Sequence, residues 1–236
     1  MTTQPVKANR RTFLVKLTVA GAIGLTGLEG LVCRVLAMGD KQFPQGIRKV
    51  AGDVRINGAS AEKGSPVQPG DEVTTGADSM ALFVVGTSAY LLRDHSRMFV
   101  GGTGQSAAKK AARALRVLNG KMLAVFGRGK KRIITPTAVA GIRGSAVYVE
   151  AEPQRTYICT CYGDTDLRAV TDPGQNEQFT TKYHEAPRYI YAQRTGGLIE
   201  TAPVINHTDD ELILLETLVG RKPPFVKPDG TGTSSY

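Results

Sequence analysis

The feature that most constrains the fold is a series of short apolar runs, which begins near residue 50 and recurs about every ten residues with turn-forming residues between the runs. The first run, 50–56, alternates apolar and polar residues and ends at Asn57-Gly58, a strong two-residue turn signal. Alternation with a period of two is typical of a strand with one buried face. The same pattern predicts strands at 72–75, 80–85, 89–92, 97–100, 132–134, 146–150, 157–162 and 167–170.

The stretch 106–126 is ambiguous. Its first part is rich in Ala and Lys, which favour a helix, yet two apolar runs flank Asn119-Gly120. Apolar runs around Asn-Gly are typical of a hairpin, so we predict a loop or short helical turn at 107–112 and strands at 113–118 and 121–126. The whole pattern predicts an all-β protein, built as a β-sandwich, a β-roll or a short β-solenoid.

A small α segment is predicted near the end of the chain. Thr208 and Glu211 form a capping-box pattern, Gly220 is a typical helix end, and Pro223-Pro224 prevents continuation. The polar, Gly- and Ser-rich tail 227–236 is expected to be disordered. The apolar residues of the predicted helix fall on one face, namely Leu212, Leu215, Leu218 and Val219.

Residues 1–37 have the order of an export signal, with a basic pair, a glycine-rich apolar run at 17–28 and small residues at 35–37. The apolar run is short for a transmembrane span. We therefore expect a periplasmic or other extracytoplasmic protein, either released or held at the membrane only by an uncleaved N-terminus. The signal resembles the twin-arginine type, which is read by a receptor and carries proteins that are already folded. The residues that carry this resemblance are Arg10, Arg11, Phe13 and Leu14.

Composition narrows the possible partners. The chain has 30 Lys and Arg against 21 Asp and Glu, and part of this excess lies in the signal. The basic runs at 109–110 and 128–132 belong to no nucleic-acid-binding motif, so we expect no nucleic-acid partner. The absence of Trp argues against a carbohydrate-stacking module. A protein or envelope partner is expected instead, and contact of the basic runs with anionic lipid or cell-wall material is a minor alternative.

Residues 47–150 resemble the FecR domain, named after a regulator of iron-dicitrate transport. Each matching piece alone is a turn followed by a strand, and the ordered set carries the resemblance. The pieces are Val50-Ala51-Gly52-Asp53-Val54, Pro69-Gly70-Asp71, Thr75-Gly76, Ser79, Ala81-Leu82-Phe83, Leu118-Asn119-Gly120-Lys121-Met122-Leu123, Thr135-Pro136-Thr137-Ala138-Val139, Ile142-Arg143-Gly144-Ser145 and Val147-Tyr148-Val149.

The resemblance implies an extracytoplasmic β domain that binds a partner. In signalling members this domain is joined through the membrane to a cytoplasmic sigma-factor-binding segment. Because few residues precede Arg10, we expect no such segment here. The sequence then divides into the signal at 1–37, the FecR-like domain at 47–150, a C-terminal extension at 151–226 and the tail.

Two cysteines and two histidines in the extension could bind a metal ion. In a strand, residues two apart point to the same face, so Cys159 and Cys161 would present their thiols side by side. With His184 and His207 they would form a Cys2His2 set suited to zinc or Cu(I). Two alternatives remain open. The cysteines could form a strained, easily reduced disulfide, or they could be small buried strand residues while the histidines are polar loop or cap residues.

Enzymatic activity is not expected. In some members of the FecR-like family a Gly-Thr step undergoes self-cleavage, and Gly144-Ser145 retains the hydroxyl that this reaction needs. The alternative, a β-bulge glycine before a strand, is favoured by the sequence. Asp94-His95-Ser96 is interpreted as a polar turn, because three neighbouring residues cannot converge as a catalytic triad.

Three functions are therefore compatible with the sequence. The first is an exported, non-enzymatic FecR-like module that acts in binding, signalling or regulation in the cell envelope. The second is a metal-binding or redox module that uses the two cysteines and two histidines. The third is an envelope structural protein that binds cell-wall material.

Overall fold

The computed structural model describes residues 45–101 and 114–226. Fourteen strands and one C-terminal helix, α1 (Asp209–Leu218), form this part of the chain, so the prediction of an all-β protein with a small α segment is confirmed. The export signal and the tail lie outside the described residues. The strands are β1 (Gly46–Ala51), β2 (Val54–Ile56), β3 (Ala59–Ser60), β4 (Glu72–Thr75), β5 (Met80–Val85), β6 (Ser88–Leu92), β7 (Arg97–Phe99), β8 (Ala114–Val125), β9 (Lys130–Ile134), β10 (Ala138–Ala151), β11 (Arg155–Ala169), β12 (Asn176–Thr181), β13 (Arg188–Tyr191) and β14 (Ile199–Thr201).

The strands form one sheet, whose longest path runs β14-β13-β11-β10-β9-β8-β7-β4-β2-β3. Three long strands, β8, β10 and β11, are its centre. β10 pairs antiparallel with β11 along almost its whole length, and its second half also pairs with β8. The second half of β8 pairs in turn with β6, which leads to β5 and β1. Among the described strands only β8 and β9 pair in parallel.

The hairpin predicted around Asn119-Gly120 is wrong. Residues 114–125 form one strand, β8, which passes through this dipeptide. Gly120 has the positive φ of 90° that an Asn-Gly turn would use, but here it accompanies a shift of register against β7. The two halves of β8 therefore pair with different neighbours, β7 and β9 on one side of the shift and β6 and β10 on the other.

A serine packed on a glycine recurs three times in the sheet. In each case the serine hydroxyl donates to the carbonyl two residues earlier, at 2.7–3.0 Å. The residue between them has a positive φ, and so does the facing glycine. A Cβ on that glycine would lie 2.2–2.3 Å from the serine Oγ, so glycine is required there. The three sets are Asp78-Ser79 on Gly52, His95-Ser96 on Gly120, and Gly144-Ser145 on Gly163.

Replacing one of these glycines should be costly. In Gly120→Ala, the new Cβ would lie 2.4 Å from the Cα of Ser96 at a φ of 90°, and we expect the free energy of unfolding to fall by about 3 kcal/mol. Gly58→Ala is the matched control, because its φ is 83° and nothing lies within 4 Å of the added Cβ, so a loss of about 1 kcal/mol is expected. Urea unfolding of both variants measures the difference, and equal losses would contradict the packing argument.

Apolar side chains cover both faces of the central strands. One face forms the larger core, which includes Phe83, Met122 and Val149. The opposite face of the same strands forms a second core, which includes Leu82, Leu123 and both cysteines of β11. Apolar residues are thus buried on both faces of these strands. Another element must therefore pack on the second face to exclude water from it.

α1 is the cover of the second face. The predicted capping box is present, with Thr208 as N-cap and Glu211 as its partner. The helix lies over β6 and β8 and contributes four fully buried leucines to the second core: Leu212, Leu214, Leu215 and Leu218. The sequence predicted three of them, together with Val219, as the apolar face.

A carboxylate near each end of α1 attaches the helix to the sheet. At the N-terminal end, Arg93 lies 2.8 Å from Glu211, whose side chain is 9% exposed. At the C-terminal end, Glu216 is 5% exposed and accepts from Arg221 at 2.6 Å and from the Tyr162 hydroxyl at 2.5 Å. Buried carboxylates need such partners, so the helix has one fixed position on the sheet. Within the described ranges no helix has the length and apolarity required to cross a bilayer.

Candidate metal centre

Cys159 and Cys161 lie side by side on β11, on the face that α1 covers. Both are free thiols with no exposed surface. The strand period of two places them on one face, as the sequence predicted, and Cys159 is paired in register with Tyr148 of β10. The long β10–β11 pairing therefore fixes the position of both sulfurs before any contact with the C-terminal segment.

His184 reaches the cysteines from the turn that follows β12. Its backbone has a φ of 51°, a conformation uncommon for a residue other than glycine. Its backbone N–H donates to the Cys161 carbonyl at 2.9 Å, which holds the turn against β11. The ring is 4% exposed, and Nδ1 lies 3.5 Å from the Cys159 sulfur.

His207 approaches from the other side, directly before the N-cap of α1. Its ring stacks on Tyr148 with centroids 4.7 Å apart and planes inclined by 19°. Nδ1 lies 2.6 Å from the Ile205 carbonyl oxygen, and Nε2 lies 2.9 Å from Nδ1 of His184. The segment before the helix is itself tied to the sheet, because the Tyr157 hydroxyl donates to the Pro203 carbonyl at 2.9 Å.

The four candidate ligand atoms all lie within 4.8 Å of one another, and all four residues are buried. They come from three separate parts of the chain, namely a central strand, a turn and the residue before a helix cap. A common centre about 2.0–2.3 Å from each atom is the geometry that a tetrahedral zinc site requires. A cluster with these separations can contract onto one ion by small side-chain movements.

The hydrogen bonds of the histidines leave one lone pair inside the cluster. A carbonyl oxygen can only accept, so Nδ1 of His207 carries its proton and Nε2 presents a lone pair. Nε2 of His184 lies 3.5 Å from Asp209 Oδ1, and Nδ1 of His184 lies 2.9 Å from Nε2 of His207, a distance that suits an Nδ1–H donor. A metal ion bound by both rings would replace the proton between these two nitrogens.

Asp209 links the site to the helix. It is the first residue of α1, and its Oδ2 accepts from the Tyr183 hydroxyl at 2.7 Å. A carboxylate behind a metal-binding histidine fixes the ring and its tautomer. No sequence motif marks Asp209 or Tyr183 as part of the site. Their only sequence signal is adjacency, because each lies within two residues of a candidate histidine.

The thiols differ in acidity. A hydrogen bond with Cys161, together with hydrogen bonds from His184 and His207, lowers the pKa of Cys159 to about 4 against the opposing effect of burial. Burial raises the pKa of Cys161, and the negative Cys159 raises it again. Cys159 is therefore the more acidic of the two thiols, and a bound dication would favour the thiolate form of both cysteines.

A nucleophilic role for Cys159 does not fit the geometry. Cys159, His184 and Asp209 lie in the order of a nucleophile, a base and an orienting carboxylate. The sulfur, however, has no exposed surface beneath the C-terminal segment, so a substrate cannot reach it.

The hydroxyl of Ser145, the other candidate nucleophile, contacts backbone carbonyl oxygens of its own sheet. Its hydroxyl donates to the Arg143 carbonyl at 2.7 Å and lies 3.3 Å from the Asp164 carbonyl oxygen. Ser79 and Ser96 make the same contact in turns with no glycine before the serine. The arrangement at Gly144-Ser145 supports the β-bulge interpretation, and the register shift between Arg143 and Ala146 lies at this point.

No family model and no curated protein matches the chain. Two crystal structures of a candidate anti-sigma factor from Parabacteroides distasonis ATCC 8503, at 1.65 Å and 2.50 Å resolution, match with 12% sequence identity and a TM-score of 0.44 each. Each match covers 56% of this chain, and the chain spans only 58% of the length of those structures. A likeness at this level supports no statement about function. The resemblance to the FecR domain stays a prediction.

Proposed function

We propose that this protein is a non-enzymatic metal-binding β domain of the cell envelope, in which Cys159, Cys161, His184 and His207 hold one soft metal ion. The observation that carries the proposal is the convergence of four buried ligand atoms within 4.8 Å of one another. Apart from the two cysteines, these residues are far apart in the sequence. Their proximity is therefore a product of the fold and not of adjacency along the chain.

The donor set favours zinc or Cu(I). Two thiolates and two neutral imidazoles form a common ligand set of four-coordinate zinc, and soft sulfur ligands also suit Cu(I). A dication bound by two thiolates leaves no net charge in the buried site, which limits the cost of desolvation. Four protein ligands leave no open position for a substrate, so the site fits a structural or sensing role and not a catalytic one.

The position of the site supports a binding or regulatory role. The metal would join β11 of the sheet to the turn at His184 and to the segment that leads into α1 through His207. Its binding energy would thus hold the C-terminal cover on the second face of the sheet. If the protein is exported in folded form, as its twin-arginine-like signal suggests, the metal can be loaded before export.

Metal analysis tests the proposal. Protein purified from a host that exports it is expected to contain one zinc or copper ion per chain, and Co²⁺ substituted for it should give the absorption of a tetrahedral site with thiolate ligands. Cys159→Ser/Cys161→Ser should contain none.

His184→Asn and His95→Asn form a matched pair for the same measurement, because both histidines have a φ near 50° and Asn tolerates this conformation. His184→Asn should bind the metal at least about tenfold more weakly, whereas the exposed His95→Asn should bind normally. Protein that contains no metal and binds neither Zn²⁺, Cu(I) nor Co²⁺ would refute the proposal.

A further inference from the structure

A polar groove of about 1080 Å³ lies where the distal parts of four strands, β9 to β12, run side by side. None of the four candidate metal ligands lines it. The groove is therefore separate from the candidate metal centre.

The strand register arranges its exposed side chains in two parallel rows. The first row crosses the four strands through Lys130, Arg143, Asp164 and Thr180. The second row, two residues along each strand and so on the same face, consists of Arg132, Gly141, Asp166 and Gln178. Cations occupy the β9 and β10 side of the groove, whereas carboxylates, a hydroxyl and an amide occupy the β11 and β12 side.

The cations of the groove have no acidic partners. Among the described residues, no ion pair involves Lys130, Arg132 or Arg143. The carboxylates on the other side are engaged locally, since Asp166 pairs with Arg168 at 2.9 Å and Asp164 accepts from the Thr180 hydroxyl at 2.7 Å. The cationic side thus attracts an anion, and the other side retains acceptor oxygens for neutral donors.

Gly141 leaves the floor of the groove open between Arg132 and Asp166. Glycine in the interior of a strand is unfavourable, and packing does not require it here, because an added Cβ would touch only Asp166, at 3.7 Å. Its φ is not positive, so the backbone does not require it either. A glycine without a packing or backbone reason in a strand often marks the close approach of a ligand.

We propose that the groove binds an acidic polysaccharide, with its carboxylates on Arg132 and Arg143 and its hydroxyl groups on Asp164 and Asp166. The division of the groove into a cationic and an acceptor side matches a chain in which each sugar carries an anion and several hydroxyls. A nucleic acid fits less well, because the two aspartates repel a continuous line of phosphates.

Binding of polygalacturonate to the full-length, metal-loaded protein at physiological salt tests this inference. Arg132→Ala/Arg143→Ala should weaken binding at least about tenfold, because two charge-assisted hydrogen-bond donors are lost. The matched control, Lys63→Ala/Lys222→Ala, removes the same charge from exposed positions outside the groove and should bind normally. Equal weakening by both pairs, or the absence of binding to polygalacturonate, would overturn the proposal.

Two further variants separate sugar recognition from general attraction to polyanions. Asp164→Asn/Asp166→Asn should weaken binding of polygalacturonate and leave or improve binding of inorganic polyphosphate, since only the sugar offers hydroxyl donors. Gly141→Val, which suits a strand, should keep the fold and weaken polygalacturonate binding by closing the floor. If neutral dextran binds as well as polygalacturonate, or if polyphosphate or DNA binds as tightly and Gly141→Val has no effect on any ligand, the proposal is wrong.

Discussion

A strong chelator that removes the metal is expected to lower the midpoint of thermal unfolding by about 10 °C. An ion that is present a thousandfold above its dissociation constant adds about 4 kcal/mol to the stability of the folded state. For a domain of this size, each kcal/mol moves the midpoint by about 2–4 °C. Calorimetry before and after chelation measures the shift, and adding Zn²⁺ back should reverse it.

Metal removal should also increase local opening, and this effect should be confined to the C-terminal cover. After chelation, amide protons of α1 and of the turn at His184 should exchange at least about tenfold faster, because local opening no longer breaks metal bonds. Amides of β8 and β10, which belong to both cores, should exchange faster only through the lower stability against global unfolding. Cys159→Ser/Cys161→Ser should reproduce this pattern without a chelator. An unchanged midpoint together with unchanged exchange in α1 would contradict a structural role for the metal.

Leu215→Ala is expected to reduce the free energy of unfolding by about 4 kcal/mol, the middle of the range for fully buried leucines. Leu215 has no exposed surface and packs in the second core beneath α1. Removing its side chain leaves a cavity between the helix and the sheet, and the strands beneath it, β6 and β8, are too constrained by pairing to fill that space. Urea unfolding of the metal-loaded protein measures the change.

Ile213→Ala is the control for this variant. Ile213 lies on the same helix but is only partly buried, so a loss of about 1 kcal/mol or less is expected. Leu215→Ala should also weaken metal binding, because α1 carries Asp209 and follows His207 directly. If the two variants lose the same stability, the second core is not closed by the helix in the way described.

The predictions that succeeded from sequence depended on local rules. Strand alternation placed Cys159 and Cys161 on one face. The capping box at Thr208 identified the exact residue at which α1 begins. The same rules failed at Asn119-Gly120. There the preference for positive φ was satisfied within a long strand, and pairing with four different neighbours outweighed the tendency to form a hairpin.

The remainder of the site depends on tertiary structure that no local pattern encodes. The sequence offered His184 and His207 as partners of the cysteines, but their approach requires the turn after β12 and the tethering of residues before α1 to the sheet. Asp209 is one of the acids in the first turn of α1, a position that the helix dipole favours. The same position also places it behind His184, and only the three-dimensional arrangement shows both roles.

The order of the ligands along the chain has a consequence for biosynthesis. The ribosome makes both cysteines first, then His184, and His207 last, shortly before the helix that covers them. A product that stops before His207 lacks the fourth donor and the cover together. Tight metal capture would therefore wait until the segment with His207 and α1 has been made, and metal content would distinguish chains that contain this segment from chains that stop before it.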